Sequence, residues 1–175
     1  KNSARPFSHA SCRSRLQWPI VEGCGSTAIC QELAKAGHKV VAAYHPQFDN
    51  KDEWLKEQAA AGFKDFVCVA GDVSLLEDCQ KMVADAEAAC GQVDILINNV
   101  GGTIWTKPFE HYQEEEIEAE VRRSLFPTLW CCRAAITHML ANGQGSIVNV
   151  SSIATRGVNR VPYGAAKGGV NALTA

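Results

Sequence analysis

Residues 93–102 read VDILINNVGG, an apolar run that ends in two asparagines and two glycines. The part VDILIN at 93–98 has the length and the branched apolar side chains of a buried strand. The residues after it, Asn99, Gly101 and Gly102, belong to types that favour turns. The segment therefore predicts a buried strand that opens into a turn at its carboxyl end.

Strands and helices alternate on both sides of this segment. Short apolar runs predict three further strands, at 39–44, 65–70 and 146–150. Periodic segments that end near glycines predict helices at 27–36, 51–61 and 75–90. A longer helical tract runs from about 112 to 140, and we expect Pro127 to kink or divide it. This alternation predicts an α/β fold with a doubly wound parallel sheet.

The two ends of the chain differ from this pattern. Residues 1–19 are basic, rich in serine and without periodicity, and we expect a disordered or foreign leader there; a transit peptide is the alternative. Residues 20–175 form the predicted α/β domain. Because Ala175 falls inside a predicted helix, we expect the fold to be incomplete at the C-terminus.

Composition narrows the class of protein. A net charge of −2 does not favour nucleic acid or an anionic membrane as a partner. The 8 cysteines include no CxxC pair, which indicates reduced thiols in a cytoplasmic protein and neither a disulfide framework nor a metal site. A small-molecule ligand is the remaining expectation.

The stretch SSIATRGVNRVPYGAAK at 151–167 carries the chemistry. Tyr163 and Lys167 are four residues apart, so on a helix they share one face. An ammonium group beside a phenol stabilises the phenolate and lowers the pKa of the phenol. Such a phenol can exchange a proton with an alcohol oxygen, an effect of roughly 100- to 10,000-fold in rate. The serine pair Ser151 and Ser152 can hydrogen-bond the same oxygen.

The ordered set Asp72-Val73, Asn98-Asn99-Val100-Gly101, Ser152, Tyr163 and Lys167 resembles the short-chain dehydrogenase/reductase family. The resemblance implies that residues 20–175 are a truncated dinucleotide-binding domain with a Rossmann fold. It also implies hydride transfer between NAD(H) or NADP(H) and a carbon that bears oxygen. It implies that Tyr163 is the catalytic acid/base and that Ser152 positions the substrate oxygen. Lys167 would lower the pKa of Tyr163 and, with Tyr163, bind the nicotinamide ribose of the cofactor. The cofactor would contact Gly23, Gly25, Asp72, Val73, Asn99 and Gly101.

The two halves of the chain resemble different members of this family. Residues 27–99 are similar to acetoacetyl-CoA reductases, and residues 100–175 to the dehydrogenase that oxidises a 1,6-dihydroxycyclohexadiene-1-carboxylate to a catechol with loss of carbon dioxide. A mosaic or a fragment would explain this. The diol carboxylate is the favoured substrate; reduction of acetoacetyl-CoA, or an inactive remnant, are the alternatives.

Three features depart from the family pattern. The glycine turn around Gly23 and Gly25 is shortened and lacks its threonine, which weakens the expected diphosphate site. The asparagine of the long helix is absent: its place falls on Val121, and Ser124 lies one turn further on. The spacing from Ser152 to Tyr163 is slightly short, which leaves Ser151 as the alternative.

Cofactor and substrate contacts stay open at this point. No acid stands in 40–45, and the nearest, Asp49, lies beyond the predicted strand, which favours NADP; the second half of the chain favours NAD. Arg156 or Arg160 is expected to pair with a substrate carboxylate. Trp105 is expected to line the substrate pocket, and the family implies a homodimer or homotetramer.

Overall fold

A computed structural model describes residues 16–19 and 23–175 of the chain. The strands are β1 Leu16–Pro19, β2 Lys39–Tyr44, β3 Val67–Ala70, β4 Val93–Asn98 and β5 Ser146–Asn149. The helices are α1 Gly23–Lys35, α2 Lys51–Ala60, α3 Leu76–Cys90, α4 Glu114–Ser124, α5 Phe126–Ala141 and α6 Val161–Thr174. Two short 3-10 helices lie at Phe109–His111 and Ile153–Arg156.

The five strands form one parallel sheet in the order β3-β2-β1-β4-β5. The chain therefore builds the sheet outward from β1 in one direction and then, from β4, in the other. This confirms the predicted α/β class and the doubly wound parallel sheet. The strand order reverses between β1 and β4, and in such sheets ligands bind at the carboxyl ends of the strands at that position.

Strand β2 shows how helices cover both faces of the sheet. Val40, Val41, Ala42 and Ala43 are all buried, and side chains alternate between the two faces of a strand. Val41 and Ala43 join the larger core, in which α3 and α5 bury Cys79, Met82, Val83, Cys131, Ala134, Ala135 and Met139. Val40 and Ala42 contact Cys30 of α1 on the opposite face, with Trp54 of α2 beside them. The layers are thus helix, sheet, helix.

Pro127 divides the long helical tract, as predicted. Helix α4 ends at Ser124 and α5 begins at Phe126, with Leu125 between them. Proline lacks the amide hydrogen of a regular helix, and its ring conflicts with the carbonyl four residues earlier. The division leaves the end of α4 at the carboxyl edge of the sheet.

The N-terminal region differs from the prediction in two ways. Residues 16–19, assigned above to the leader, form β1 and pair with both β2 and β4. Helix α1 begins at Gly23 and not at residue 27, so Gly23 and Gly25 belong to its first turn. The strand depends on two neighbours that are distant in sequence, which a four-residue segment cannot reveal. The remaining leader residues, 1–15, lie outside the described part.

Candidate active site

Two adjoining cavities lie at the carboxyl edge of the sheet. The first, about 480 Å³, is lined by Tyr44, His45, Phe48, Asp49, Gly71, Asp72, Val73, Val100, Arg122, Arg123 and others. The second, about 390 Å³, is lined by Asn99, Gly101, Arg123, Val150, Ser151, Tyr163 and Lys167. Arg123 lines both, and Val100 and Gly101 are consecutive residues. The cavities therefore form one groove across the ends of the strands.

Tyr163 and Lys167 lie side by side in the second cavity. Helix α6 places them one turn apart, with Tyr163 only 9% exposed and Lys167 only 2% exposed. The Lys167 ammonium donates to the carbonyl oxygen of Val150 at 2.9 Å and to that of Val100 at 3.5 Å. Burial lowers the pKa of Lys167. An ammonium has three donors, so one remains for a ligand.

Gly101 gives Lys167 the space that it occupies. A Cβ at this position would lie 3.1 Å from the Lys167 Nζ and 3.3 Å from the Ser124 Cα. The φ angle of Gly101 is 131°, a conformation that residues with a Cβ rarely adopt. The glycine predicted after β4 is thus required by both space and backbone conformation.

The two asparagines at the end of β4 connect that strand to its neighbours. Asn99 lines the second cavity and donates from Nδ2 to the Ser26 Oγ of α1 at 2.7 Å. Asn98 donates to the Asn149 Oδ1 of β5 at 2.8 Å. Asn99 therefore fixes the first turn of α1, which contains Gly25, against the carboxyl end of β4.

Asp72 and Val73 lie where β3 ends, in the first cavity. Asp72 accepts a hydrogen bond from the Ser74 amide at 2.8 Å, and its other carboxylate oxygen lies 3.8 Å from the His45 Nε2. Partial burial opposes ionisation of Asp72. The hydrogen bonds from Ser74 and the neighbouring His45 outweigh it, so the pKa of Asp72 is lowered.

Asp49 reaches the end of β2, although it is the fourth residue after His45. Its carboxylate accepts from the His45 backbone amide at 2.6 Å and lines the first cavity. The loop thus folds an acid back to the strand end at which the sequence showed none.

The two serines before α6 occupy different positions. Ser151 lines the second cavity and donates to the Lys167 carbonyl oxygen at 3.3 Å. Ser152 is half-buried and caps the following 3-10 helix by accepting from the Ala154 amide at 3.1 Å. It is not among the residues that line the cavity. Because that contact uses the Ser152 oxygen as acceptor, its hydroxyl proton can still be donated.

None of the predicted substrate residues lines the second cavity. Arg156 and Arg160 are exposed, at the end of the 3-10 helix and just before α6. Trp105 is half-buried in the segment after β4. The groove in this structure therefore does not place any of the three against Tyr163.

Sequence reasoning missed Arg123 and Glu120 on α4. Arg123 lines both cavities, and the fully buried Glu120 accepts from the backbone of the segment after β4. The pair Arg122-Arg123 before a helix-breaking proline was a usable signal for the first. Ser124, and not Val121, approaches the site: it is fully buried, its hydroxyl donates to the Gly102 carbonyl oxygen at 3.4 Å, and its Cα faces Gly101.

Six cysteines whose side chains the structure describes are free thiols: Cys30, Cys68, Cys79, Cys90, Cys131 and Cys132. Burial raises the pKa of Cys30 to about 12 and that of Cys68 to about 11, so neither is a ready nucleophile. Among the residues described, no three His, Cys, Asp or Glu side chains are grouped so as to hold a metal ion. No helix in that same part of the chain has both the length and the apolar character needed to cross a membrane.

Comparison with known proteins agrees with this architecture. A family model described as short chain dehydrogenase matches residues 20–175. A solved short-chain dehydrogenase from Streptomyces avermitilis superposes with a TM-score of 0.77 at 26% identity, over 92% of this chain and 58% of that one. The fold is therefore that of this class of enzyme.

Two relatives bear on the substrate. The 1,6-dihydroxycyclohexa-2,4-diene-1-carboxylate dehydrogenase of Pseudomonas putida is 66% identical over 128 residues, which cover 72% of this chain and 48% of the relative. The acetoacetyl-CoA reductase of Cupriavidus necator is 33% identical over 150 residues, 85% of this chain and 60% of the relative. The chain spans about half the length of the diol dehydrogenases that it matches, 48% of this one and 42% of another from Acinetobacter baylyi. Since 128 residues exceed the segment 100–175, the likeness to the diol dehydrogenase also reaches into the first half.

Proposed function

This chain belongs to the short-chain dehydrogenase family, and we propose on that premise that the protein oxidises a carbocyclic cis-diol carboxylate with a nicotinamide dinucleotide. The observation that carries the proposal is the buried pair Tyr163 and Lys167 in the second cavity, which continues into the first. The residues present fit a nicotinamide dinucleotide at this place, because Gly101 leaves room for the Lys167 ammonium, and Asn99, Gly101 and Lys167 all line the cavity that would receive the cofactor.

The proposed reaction follows from the groups around Tyr163. As phenolate, Tyr163 takes the proton from the hydroxyl of the carbon that becomes a ketone, while Lys167 stabilises the phenolate and Ser152 donates a hydrogen bond to the same oxygen. The bound nicotinamide supplies the hydride acceptor. The ketone lies beta to the carboxylate, so carbon dioxide leaves and the electron pair of the broken bond forms an enolate. Tyr163 returns its proton to that oxygen, which gives the catechol.

The diphosphate of the cofactor is assigned to the first turn of α1. A helix N-terminus offers unpaired amides and a positive dipole end to an anion. A Cβ at Gly25 would reach Asn99 Nδ2 only at 3.9 Å, so the approach there is open and not crowded. Gly23 and Gly25 therefore keep a proposed cofactor role as helix residues, although not as the turn that was predicted.

We further propose NAD and not NADP as the cofactor. The Asp49 carboxylate supports this choice, because it accepts from the His45 amide at the end of β2, and an acid at the end of this strand binds the ribose hydroxyls of NAD. The additional phosphate of NADP would meet that carboxylate at close range, and like charges repel. Asp72 and Val73 would flank the adenine in the first cavity.

The remaining assignments extend this proposal. Arg156 or Arg160 would pair with the substrate carboxylate, and Trp105 would contact its ring, if the substrate extends beyond the second cavity toward the loops. We also propose a homodimer or homotetramer, located in the cytoplasm. The measurement for the assembly is the molar mass of the protein in solution.

The proposed function is tested by offering two substrates to the purified protein. We expect NADH and catechol to form from the diol carboxylate and NAD, and no loss of NADPH with acetoacetyl-CoA. The reverse outcome would favour acetoacetyl-CoA reduction, the first alternative above. No turnover with either substrate would favour the second alternative, in which the protein is a catalytically inactive remnant.

A further inference from the structure

Glu120 is a buried carboxylate that the proposed reaction does not use. It lies on α4 with none of its surface exposed. Its Oε1 accepts from the Ile104 amide at 2.6 Å and from the Trp105 amide at 3.0 Å, with the Thr103 hydroxyl at 3.4 Å. Its Oε2 is buried and has no hydrogen-bond partner among the described residues.

Burying the Glu120 carboxylate costs free energy of folding. Burying a charge requires compensation by hydrogen bonds, and an unpartnered oxygen receives none. An apolar side chain on this face of α4 would avoid the cost but could not bind the two amides. The Glu120 side chain therefore contributes hydrogen bonds to the backbone of 103–105, and its role is not apolar packing of α4.

The same segment is held from its opposite side. The Trp105 carbonyl oxygen accepts from the Tyr112 hydroxyl at 2.8 Å. The Lys107 amide donates to the Asn159 carbonyl oxygen at 2.9 Å, and Asn159 stands just before α6 with a left-handed φ of 60°. Residues 103–107, which we name the wall segment, thus bridge α4 and the entrance to the helix that carries Tyr163.

We propose that Glu120 is a positioning residue. It fixes the wall segment, which continues from the cavity-lining Gly101 and bonds to Asn159 before α6, as the outer boundary beyond the second cavity against which the ring of the substrate lies. This inference rests on the proposed function, because it takes the cyclic diol as substrate. Ile104 and Trp105 are both apolar side chains on backbone that Glu120 holds, and Ile104 is 41% exposed. A rigid carbocycle needs a rigid boundary to present one hydroxyl to Tyr163.

The test compares Glu120→Leu, Glu120→Gln and the control Glu118→Gln, which changes an exposed acid on the same helix. The first measurement is hydrogen exchange at the Ile104 and Trp105 amides. We expect Glu120→Leu to speed exchange at both by at least about 10-fold, because it removes their acceptor. Glu120→Gln keeps an acceptor oxygen, so the two amides should exchange almost as slowly as in the parent protein. The control Glu118→Gln should show the same exchange rates as the parent protein.

The second measurement is steady-state kinetics. Glu120→Leu should raise the KM for the diol carboxylate about 10-fold or more while the KM for NAD stays within about 2-fold, and Glu120→Gln should recover most of the loss. Glu120→Ala carries the same expectation if the Leu variant does not fold. The inference would be overturned by an unchanged exchange rate at the Ile104 and Trp105 amides in the Leu or Ala variant. It would also be overturned by an equal rise in the KM for the diol carboxylate and the KM for NAD. A parent protein that does not oxidise the diol would overturn the proposed function, while the exchange measurement would still decide whether Glu120 holds the wall segment.

Discussion

The backbone of Gly101 lies so close to Lys167 that a Cβ at position 101 would stand 3.1 Å from the Nζ atom. The same ammonium donates to the Val150 carbonyl oxygen at 2.9 Å. The turn after β4, the end of β5 and helix α6 therefore converge on one buried cation. Cofactor binding and proton transfer are both expected to depend on this convergence.

Gly101→Ala should weaken cofactor binding. The new methyl group would displace the Lys167 ammonium, and the backbone conformation at 131° would cost about 1–2 kcal/mol in the free energy of unfolding. We expect the Kd for NADH, measured by nicotinamide fluorescence, to rise about 10-fold or more. Gly102→Ala is the matched control, because a Cβ there meets no atom within 4 Å; equal effects of the two variants would refute the role of Gly101.

Tyr163→Phe should separate chemistry from binding. The variant keeps the ring in its buried position but removes the only hydroxyl of that side chain. Loss of the acid/base should lower kcat by at least about 100-fold, with the Kd for NADH nearly unchanged. A variant that retains more than a tenth of the parent kcat would show that another group transfers the proton.

Asp49→Asn should change the preference between the two dinucleotides. Removing the carboxylate beside the His45 amide removes the repulsion toward a 2′-phosphate, and we expect the affinity for NADPH to rise about 10-fold relative to that for NADH. Asp85→Asn on α3, which changes an acid paired with Lys81, is the control. An unchanged ratio of the two Kd values would remove Asp49 from the cofactor site.

Asp72→Ala should destabilise the protein in a way that depends on pH. The folded protein holds the pKa of Asp72 below its usual value of 3.8, so the ionised carboxylate stabilises the fold above that pH. At neutral pH the loss of the Ser74 hydrogen bond should cost about 1 kcal/mol in the free energy of unfolding. The difference between variant and parent should shrink as the pH falls through the lowered pKa. Denaturant unfolding over a pH series measures it, and a constant difference would contradict the assignment.

Local patterns were sufficient to predict most of the fold. The branched apolar run of β2 and the run of β4 form strands with the predicted limits, Lys39–Tyr44 and Val93–Asn98. Pro127 divides the long helical tract because its effect on a helix is local. The sequence also predicted that Tyr163, Lys167 and Gly101 lie close together, because all strands of a parallel sheet end at the same edge of the sheet.

Features that depend on contacts between distant residues were beyond the reach of sequence patterns. Strand β1 exists through pairing with β2 and β4, and α1 extends back over two glycines that disfavour a helix interior. Asp49 reaches the end of β2 only because its loop folds back. Glu120 looked like one more acid on α4, and only the structure shows it buried beneath the wall segment.

The most direct test of the account is titration of this chain with NADH and NADPH, followed by nicotinamide fluorescence. The groove, the buried Lys167 and the position of Asp49 predict saturable binding of NADH with a clearly lower Kd than that of NADPH. Tighter binding of NADPH would contradict the cofactor assignment. Binding of neither would contradict the central claim that the two cavities together hold a nicotinamide dinucleotide.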